Sequence, residues 1–332
     1  MNFQNNTILV TGGTGSFGQK FIENLLSKHK PKKVIVYSRD ELKQSLMQEK
    51  FKDKRLRFFL GDVRDIARLK LATREVDILV HSAALKQVPA AEYNPTECIK
   101  TNIDGAKNII AASIENKLKK VIALSTDKAV APINLYGATK LVSDKLFIAA
   151  NNIVGNQKIS FSLVRYGNVI NSRGSVIPFF KKLASIKQNK YIPITHKEST
   201  RFLISLDDGV NFVIKSLKIM KGGEIFIPIS KSVKIVDLAK FIAPNKKLNF
   251  IGLRPGEKVH EVLYSNDEIQ DVIKFQDYYI IAPSNNINNK KNYYFKSSTG
   301  EVGKKLNAKL RYSSENNIKI SQLDKKYLKL IK

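Results

Sequence analysis

Apolar residues follow two rhythms along this chain. Short continuous runs closed by glycine or a polar residue read as buried strands, and longer stretches with apolar positions three and four apart read as helices. Thr7 to Thr11 is the first run, and it passes directly into Gly12-Gly13-Thr14-Gly15-Ser16-Phe17-Gly18. Gln19 to Lys28 then carries Phe21, Ile22, Leu25 and Leu26 at helical spacing. Further strands are predicted at Lys33 to Tyr37, Arg57 to Leu60, Asp77 to His81, Val121 to Leu124 and Ile159 to Val164, with a long helical segment over Asn94 to Asn116. This alternation predicts an α/β fold built on a doubly wound parallel sheet. Beyond Val164 the alternation weakens. Ser172 to Pro178 reads as a loop feeding a helix, Ile192 to Thr195 and Glu224 to Pro228 as short strands, Val236 to Ile242 as a helix, and Leu253 to Lys258 as a turn. Residues 168–332 are therefore expected to form mainly a smaller substrate-binding region, interleaved with the end of a sheet that residues 1–167 carry and later segments complete. The last fifty residues, rich in Asn and Lys, are patterned least, and Tyr312-Ser313-Ser314 is expected to fold back on the core.

Composition narrows the class without naming a partner. The 332 residues are 43% hydrophobic and 26% charged, an ordinary soluble balance. No apolar run approaches the roughly 20 residues of a membrane span. The opening MNFQNNTILVTGG enters a strand almost at once, so no signal peptide is expected. The single cysteine, Cys98, excludes an intramolecular disulfide, and a cytoplasmic protein is expected. The formal net charge is +28. Its lysines are spread along the whole chain and mark no single segment, which reads as a basic surface that draws in anionic nucleotides. No nucleic-acid or membrane partner is expected, and no Cys/His cluster suggests a metal.

Glycines at 12, 15 and 18 lie between a strand and a helix N-terminus, the context in which such a turn cradles a pyrophosphate. A dinucleotide site of Rossmann type is thus predicted over Gly12, Thr14, Gly15, Ser16, Phe17 and Gly18. The second strand ends in Ser38-Arg39-Asp40-Glu41-Leu42-Lys43. Arg39 after a small Ser38, with Lys43 nearby, suits a ribose 2′-phosphate and so NADP. The alternative is that Arg39 and Lys43 are solvated helix-start residues. Asp40 and Glu41 also fit an N-cap and a first helical turn. Asp62, followed by Val63, is placed to meet the adenine edge, and the small Ala83 lets a cofactor lie against the backbone.

Chemistry concentrates in Leu124 to Lys140, LSTDKAVAPINLYGATK. Ser125, Thr126, Asp127 and Lys128 follow the fifth strand, and Tyr136 and Lys140 share one helix face four residues apart. A cation beside a phenol favours the phenolate, which predicts Tyr136 as a base aided by Lys140. His81 and His260 are read as packing or surface residues.

With Tyr136-x-x-x-Lys140 after the fifth strand, the chain resembles the extended short-chain dehydrogenase/reductase superfamily. TGGTGSFG, YSRDELK, GDVRD, AALKQVP, EYNP, STDKA, NLYGATK, RYGNV, SRGSV and RPGEK together resemble more closely the inverting UDP-N-acetylglucosamine 4,6-dehydratases, from about Asn6 to at least Glu261. Gln87 departs from the histidine more usual beside the site lysine Lys86. The resemblance implies tightly bound, recycled NADP+ held partly by Lys86, Tyr136 and Lys140. It implies UDP-N-acetylglucosamine bound by Lys86, Asn168, Val176, Thr195 and Arg254, with Glu257 either part of that site or simply orienting Arg254. It gives Tyr136 the proton of the carbon-4 hydroxyl, Asp127 the departure of the carbon-6 hydroxyl, and Lys128 the carbon-5 proton, with Thr126 in the same catalytic group. The implied product is UDP-2-acetamido-2,6-dideoxy-β-L-arabino-hex-4-ulose, which opens pseudaminic acid biosynthesis for flagellin and other surface glycans. A homo-oligomer is implied, with a hexamer the expected state. A retaining 4,6-dehydratase carries Asp-Glu at the Asp127-Lys128 position or, in membrane-anchored relatives, Met in place of Tyr136. A UDP-sugar 4-epimerase needs only the Tyr136/Lys140 pair. A dinucleotide sensor or nucleic-acid-binding protein needs neither.

Overall fold

The computed structural model describes residues 3–283, 291–306, 311–316 and 318–332. Its first half runs β1 (Thr7–Thr11), α1 (Ser16–Asn24), β2 (Lys33–Ser38), α2 (Glu41–Lys50), β3 (Leu56–Leu60), α3 (Ile66–Ala72), β4 (Ile78–His81), α4 (Val88–Tyr93), α5 (Pro95–Ile99), α6 (Gly105–Glu115), β5 (Lys120–Thr126), α7 (Leu135–Ala150) and β6 (Ser160–Tyr166). The strands pair in parallel in the order β3-β2-β1-β4-β5-β6, so the winding reverses between β1 and β4. Successive strand residues face opposite sides, and both sides are covered. Ile8 and Val10 of β1 join Phe21 and Leu25 above one face, while Leu9 joins Leu69, Ile109 and Phe147 below the other. The segment expected as one long helix over Asn94 to Asn116 is α5 and α6 joined through a π-helical turn at Lys100–Asp104. A second π turn, Leu25–His29, extends α1.

The second half supplies β7 (Asn168–Val169), α8 (Val176–Ser185), β8 (Tyr191–Ile194), β9 (Thr200–Ile204), α9 (Leu206–Ile219), β10 (Ile225–Pro228), β11 (Lys231–Lys234), α10 (Ile235–Ile242), β12 (Lys247–Phe250), β13 (Val262–Tyr264), β14 (Val272–Lys274), β15 (Tyr278–Ile281), β16 (Lys304–Lys305), β17 (Tyr312–Ser313) and α11 (Lys325–Ile331). Strand β10 lies in parallel beside β6, and β15, β14 and β16 extend the same sheet antiparallel. Helix α9 packs Val210, Val213 and Leu217 into the core above β1. A separate small core gathers Ile177 and Phe180 of α8, Ile192 and Ile194 of β8, and Leu238 of α10. Tyr312 and Ser313 do fold back, pairing with β13. The Asn- and Lys-rich stretch 284–290 lies outside the described residues. Among the described residues no helix is long and apolar enough to cross a membrane.

Candidate active site

Strands β1 to β6 end on the same side, and the loops there line one cavity of about 770 Å³. At its nucleotide end Gly12 takes φ +63°, and a Cβ there would sit 2.9 Å from the Ala83 backbone nitrogen. A Cβ on Gly18 would lie 2.5 Å from Gly13, so glycine is what lets α1 start this close to β1. The Thr14 hydroxyl shares a 2.9 Å hydrogen bond with Ser38 Oγ, which ties the glycine loop to the end of β2. Gly15 caps α1 without a side chain, leaving its first N–H groups open to an anion. These features fit a dinucleotide pyrophosphate.

Asp40 caps α2 by accepting from the Lys43 backbone nitrogen at 3.0 Å, and its carboxylate also pairs with the Lys43 ammonium. Glu41 stands in the first turn of α2 and does not line the cavity. Asp62 is engaged by Arg64 at 2.7 Å and by the exposed Arg39 at 3.5 Å. Burial works against the Asp62 carboxylate, yet Arg64 and then Arg39 hold it below its ordinary range. Ser38, Arg39, Asp40, Lys43, Asp62, Val63, Ala83 and Lys86 all line the cavity. Asn102, in the π turn, receives the Leu85 N–H at 2.9 Å and donates to Leu85 O at 2.9 Å and Thr139 Oγ1 at 3.0 Å. It thereby fixes the backbone beside Lys86 to α7.

The catalytic end is built where β5 gives way to a single 3₁₀ turn, Asp127–Ala129. Helix α7 starts against that turn. Asn134 caps it by accepting from Gly137 N at 2.8 Å and donates to Gly256 O at 2.7 Å. Tyr136, 9% exposed, and the buried Lys140 line the cavity with Ser125, Thr126, Asp127 and Lys128. Burial pushes the Tyr136 phenol up to about 12; the cation that pulls it down most is Lys128, followed by the Thr126 hydroxyl. This departs from the expectation that Lys140 would bring the phenol below its ordinary value. The Lys140 ammonium is pushed down by burial and held up by Asp144, one helical turn further on. Asp144 in turn accepts from Ser125 Oγ at 2.6 Å and pairs with the fully buried Arg165 at 3.4 Å.

Lys128 stands between two carboxylates. Its Nζ is 3.2 Å from Asp127 Oδ1 and 3.1 Å from Glu261 Oε1, and both acids are nearly inaccessible. Burial opposes the charge on Lys128, but Asp127 and Glu261 overcome it and raise the ammonium's pKa above its ordinary value. Asp127 Oδ2 and Glu261 Oε2 are buried without a hydrogen-bond partner, as is Asn168 Oδ1.

At the far end the cavity meets Asn168, Val176 and Arg254. Thr195 does not line it and instead donates to Glu257 Oε1 at 3.0 Å. Glu257 also accepts from Arg201 Nη2 at 3.0 Å and from the Arg254 backbone nitrogen at 3.3 Å. It therefore shapes the turn that presents Arg254 through the main chain. Lys86 Nζ reaches Arg173 O at 3.4 Å, and Gln87 lies against Gly174, where a Cβ would meet its Nε2 at 2.3 Å. His81 and His260 stay out of the cavity, their Nδ1 atoms 2.8 Å from Thr11 and Thr200 hydroxyls. The sequence reading missed Arg173, Arg201 and Glu261 as lining residues. For Glu261 a signal existed, its place three residues beyond the RPGEK turn.

The family model described as polysaccharide biosynthesis protein matches residues 8–283. A UDP-N-acetylglucosamine 4,6-dehydratase (inverting) of Campylobacter jejuni subsp. jejuni serotype O:2 is 55% identical over 95% of this chain and 94% of its own length. A UDP-glucose 4-epimerase of Rickettsia bellii is 43% identical over 84% and 83% respectively. The X-ray structure of Pen from Bacillus thuringiensis superposes with a TM-score of 0.86 at 37% identity, over 96% of this chain and 95% of that one. A cavity assembled at the strand ends of a doubly wound sheet and a match of this extent agree, and the chain belongs to the polysaccharide biosynthesis protein family.

Proposed function

We propose that this protein is an inverting UDP-N-acetylglucosamine 4,6-dehydratase, acting in the cytoplasm on a nucleotide sugar destined for pseudaminic acid and surface or flagellin glycans. The observation that carries the reading is the meeting of Tyr136 with the Asp127–Lys128 ion pair in one cavity. An epimerase has no step that requires the second pair.

Arg39 and Lys43, released from Asp62 and Asp40, are the cations for a ribose 2′-phosphate, so NADP is the proposed cofactor. Thr14, Ser16 and Phe17 carry the pyrophosphate end, and Ala83, Lys86, Tyr136 and Lys140 the nicotinamide end. A bound nicotinamide dinucleotide would supply a hydride acceptor for carbon 4, a hydride donor for carbon 6, and a cationic ring that favours the Tyr136 phenolate. Tyr136 then accepts the carbon-4 hydroxyl proton. Lys128 removes the carbon-5 proton, which the neighbouring ketone acidifies. Asp127, hydrogen-bonded by Thr126 Oγ1 at 3.0 Å, first takes a solvent proton on its unpartnered Oδ2; that O–H bond breaks as the proton passes to the departing carbon-6 hydroxyl, and Asp127 returns to the carboxylate that faces Lys128. Arg254 suits the substrate diphosphate, with Lys86, Asn168 and Val176 around the sugar and Thr195 acting through Glu257. A homo-oligomer, a hexamer, is part of the same proposal.

The second reading, 4-epimerisation, has the Rickettsia relative in its favour. Incubation with UDP-N-acetylglucosamine in D₂O, without added cofactor, separates the two. A 4-keto-6-deoxy product deuterated at carbon 5 is expected. A mixture with UDP-N-acetylgalactosamine alone would establish the epimerase.

A further inference from the structure

The proposed chemistry leaves a difficulty at Lys128. A base at carbon 5 must meet the sugar as a free amine, while two nearly inaccessible carboxylates 3.1 and 3.2 Å from Nζ favour the ammonium. Its extra proton needs an acceptor inside the site. Asp127 is committed to the carbon-6 hydroxyl. Glu261 is 2% exposed, lines the same cavity, and has one carboxylate oxygen on Nζ and the other without a hydrogen-bond partner.

Glu261 is also held in place from outside the loop that carries Lys128. Its backbone N–H donates to Ser314 Oγ at 2.9 Å, and its carbonyl accepts from Ser314 N at 2.8 Å. The Ser314 hydroxyl lies 2.7 Å from Thr200 Oγ1 as well. The Arg201 guanidinium stands 3.8 Å from Glu261 Oε1 and is bonded to Glu257, so it adds positive charge without taking Lys128's place. An acid buried this deeply, pinned by a distant strand and aimed at one ammonium, is placed to govern that ammonium.

We propose that Glu261 is the positioning residue of Lys128, clamping its ammonium opposite Asp127 and accepting one of its protons once the 4-keto sugar is bound. The inference rests on the dehydratase reading. In the first step the Nζ–H bond breaks and an O–H bond forms on Glu261. The Nζ lone pair then takes the carbon-5 proton, and the C–H electron pair moves toward the carbon-4 carbonyl as an enolate. The ammonium is restored, Glu261 is neutral, and the negative charge resides on the sugar, so charge balances. Carbon 5 later receives a solvent proton, and Glu261 returns its own to solvent when product leaves.

The test compares the full-length Glu261→Gln and Glu261→Asp variants with wild type, using UDP-N-acetylglucosamine in D₂O. Three quantities are read: reduction of the bound nicotinamide near 340 nm, deuterium at carbon 5, and the pH dependence of turnover between pH 7 and 9. Wild type is expected to be flat over this range because the proton moves internally. Glu261→Gln should keep nicotinamide reduction within about threefold and lose about 10²-fold in carbon-5 exchange. Its residual turnover should climb roughly tenfold per pH unit, since Lys128 must now release its proton to solvent. Glu261→Asp keeps an acceptor and should be flat again, within about tenfold of wild type. Wild-type turnover with a flat profile in Glu261→Gln, or a pH slope in Glu261→Asp, overturns the assignment. Failure of wild type itself to yield a 4-keto-6-deoxy sugar refutes the dehydratase reading instead.

Discussion

Lys128→Ala tests the charge arrangement and the chemistry in one variant. In the native site one ammonium faces Asp127 and Glu261, which are 1% and 2% exposed. Its removal leaves two buried carboxylates with the Arg201 guanidinium 3.8 Å from one of them and the Lys258 ammonium acting on both without an ion-pair contact. Breaking a buried pair by deleting one partner costs about 3–5 kcal/mol. The folded variant limits this by binding a proton that the unfolded chain, with ordinary carboxyls near 4, has already released at neutral pH. The sign follows: the folded state holds more protons, so stability falls as pH rises, by about 1.4 kcal/mol per unit for one proton. Urea denaturation of wild type and variant should thus show a gap of about 3–5 kcal/mol at pH 7.5 that narrows by about 2.7 kcal/mol at pH 5.5. Dehydration should fall about 10²–10⁴-fold. A sequence-level view of Lys128 as purely catalytic expects unchanged stability. Equal denaturation midpoints at both pH values, or a gap that ignores pH, would refute the counter-ion role.

Burial holds His81 down to about 3, so its imidazole stays neutral in the fold, while the unfolded chain protonates it below about 6.5. The unfolded state then binds the extra proton, and stability drops as pH falls from 6.5, by about 2 kcal/mol at pH 5. His81→Asn should lose that part of the acid sensitivity in pH-dependent denaturation, whatever its cost at pH 7.5. For the cofactor, Arg39→Ala should weaken NADP+ binding about 10–100-fold, the worth of a charge-assisted contact, and change NAD+ binding less than about threefold. Titration calorimetry reads both, and equal losses would remove Arg39 from the 2′-phosphate site.

The sheet was legible because burial on both faces turns its strands into unbroken apolar runs such as Val34-Ile35-Val36-Tyr37, each closed by a glycine or a polar residue. The glycine loop was legible because left-handed backbone at Gly12 and close packing at Gly18 leave little choice of residue. Helical spacing placed Tyr136 and Lys140 on one stripe, but Asp144 continues that stripe and occupies the electrostatics of Lys140. Ranking Lys128 above Lys140 for the phenol needs three-dimensional distances. Glu261 and Arg201 acquire their roles only across the β9, β13 and β17 junction, and a chain with 57 basic and 29 acidic residues offers many such candidates. Later segments were expected to complete the sheet, but a four-residue run such as β10 does not reveal which neighbour it joins. Its parallel register with β6 is a tertiary fact. The π turn that aims Asn102 at Leu85 has no signature in apolar periodicity.

The double hydrogen bond between Glu261 and Ser314 sets an order of events in synthesis. The glycine loop, β5 and α7 are all translated before the residue that fixes Glu261. Completion of the cluster waits for the chain through Ser314, so truncation before that residue removes the restraint on Glu261.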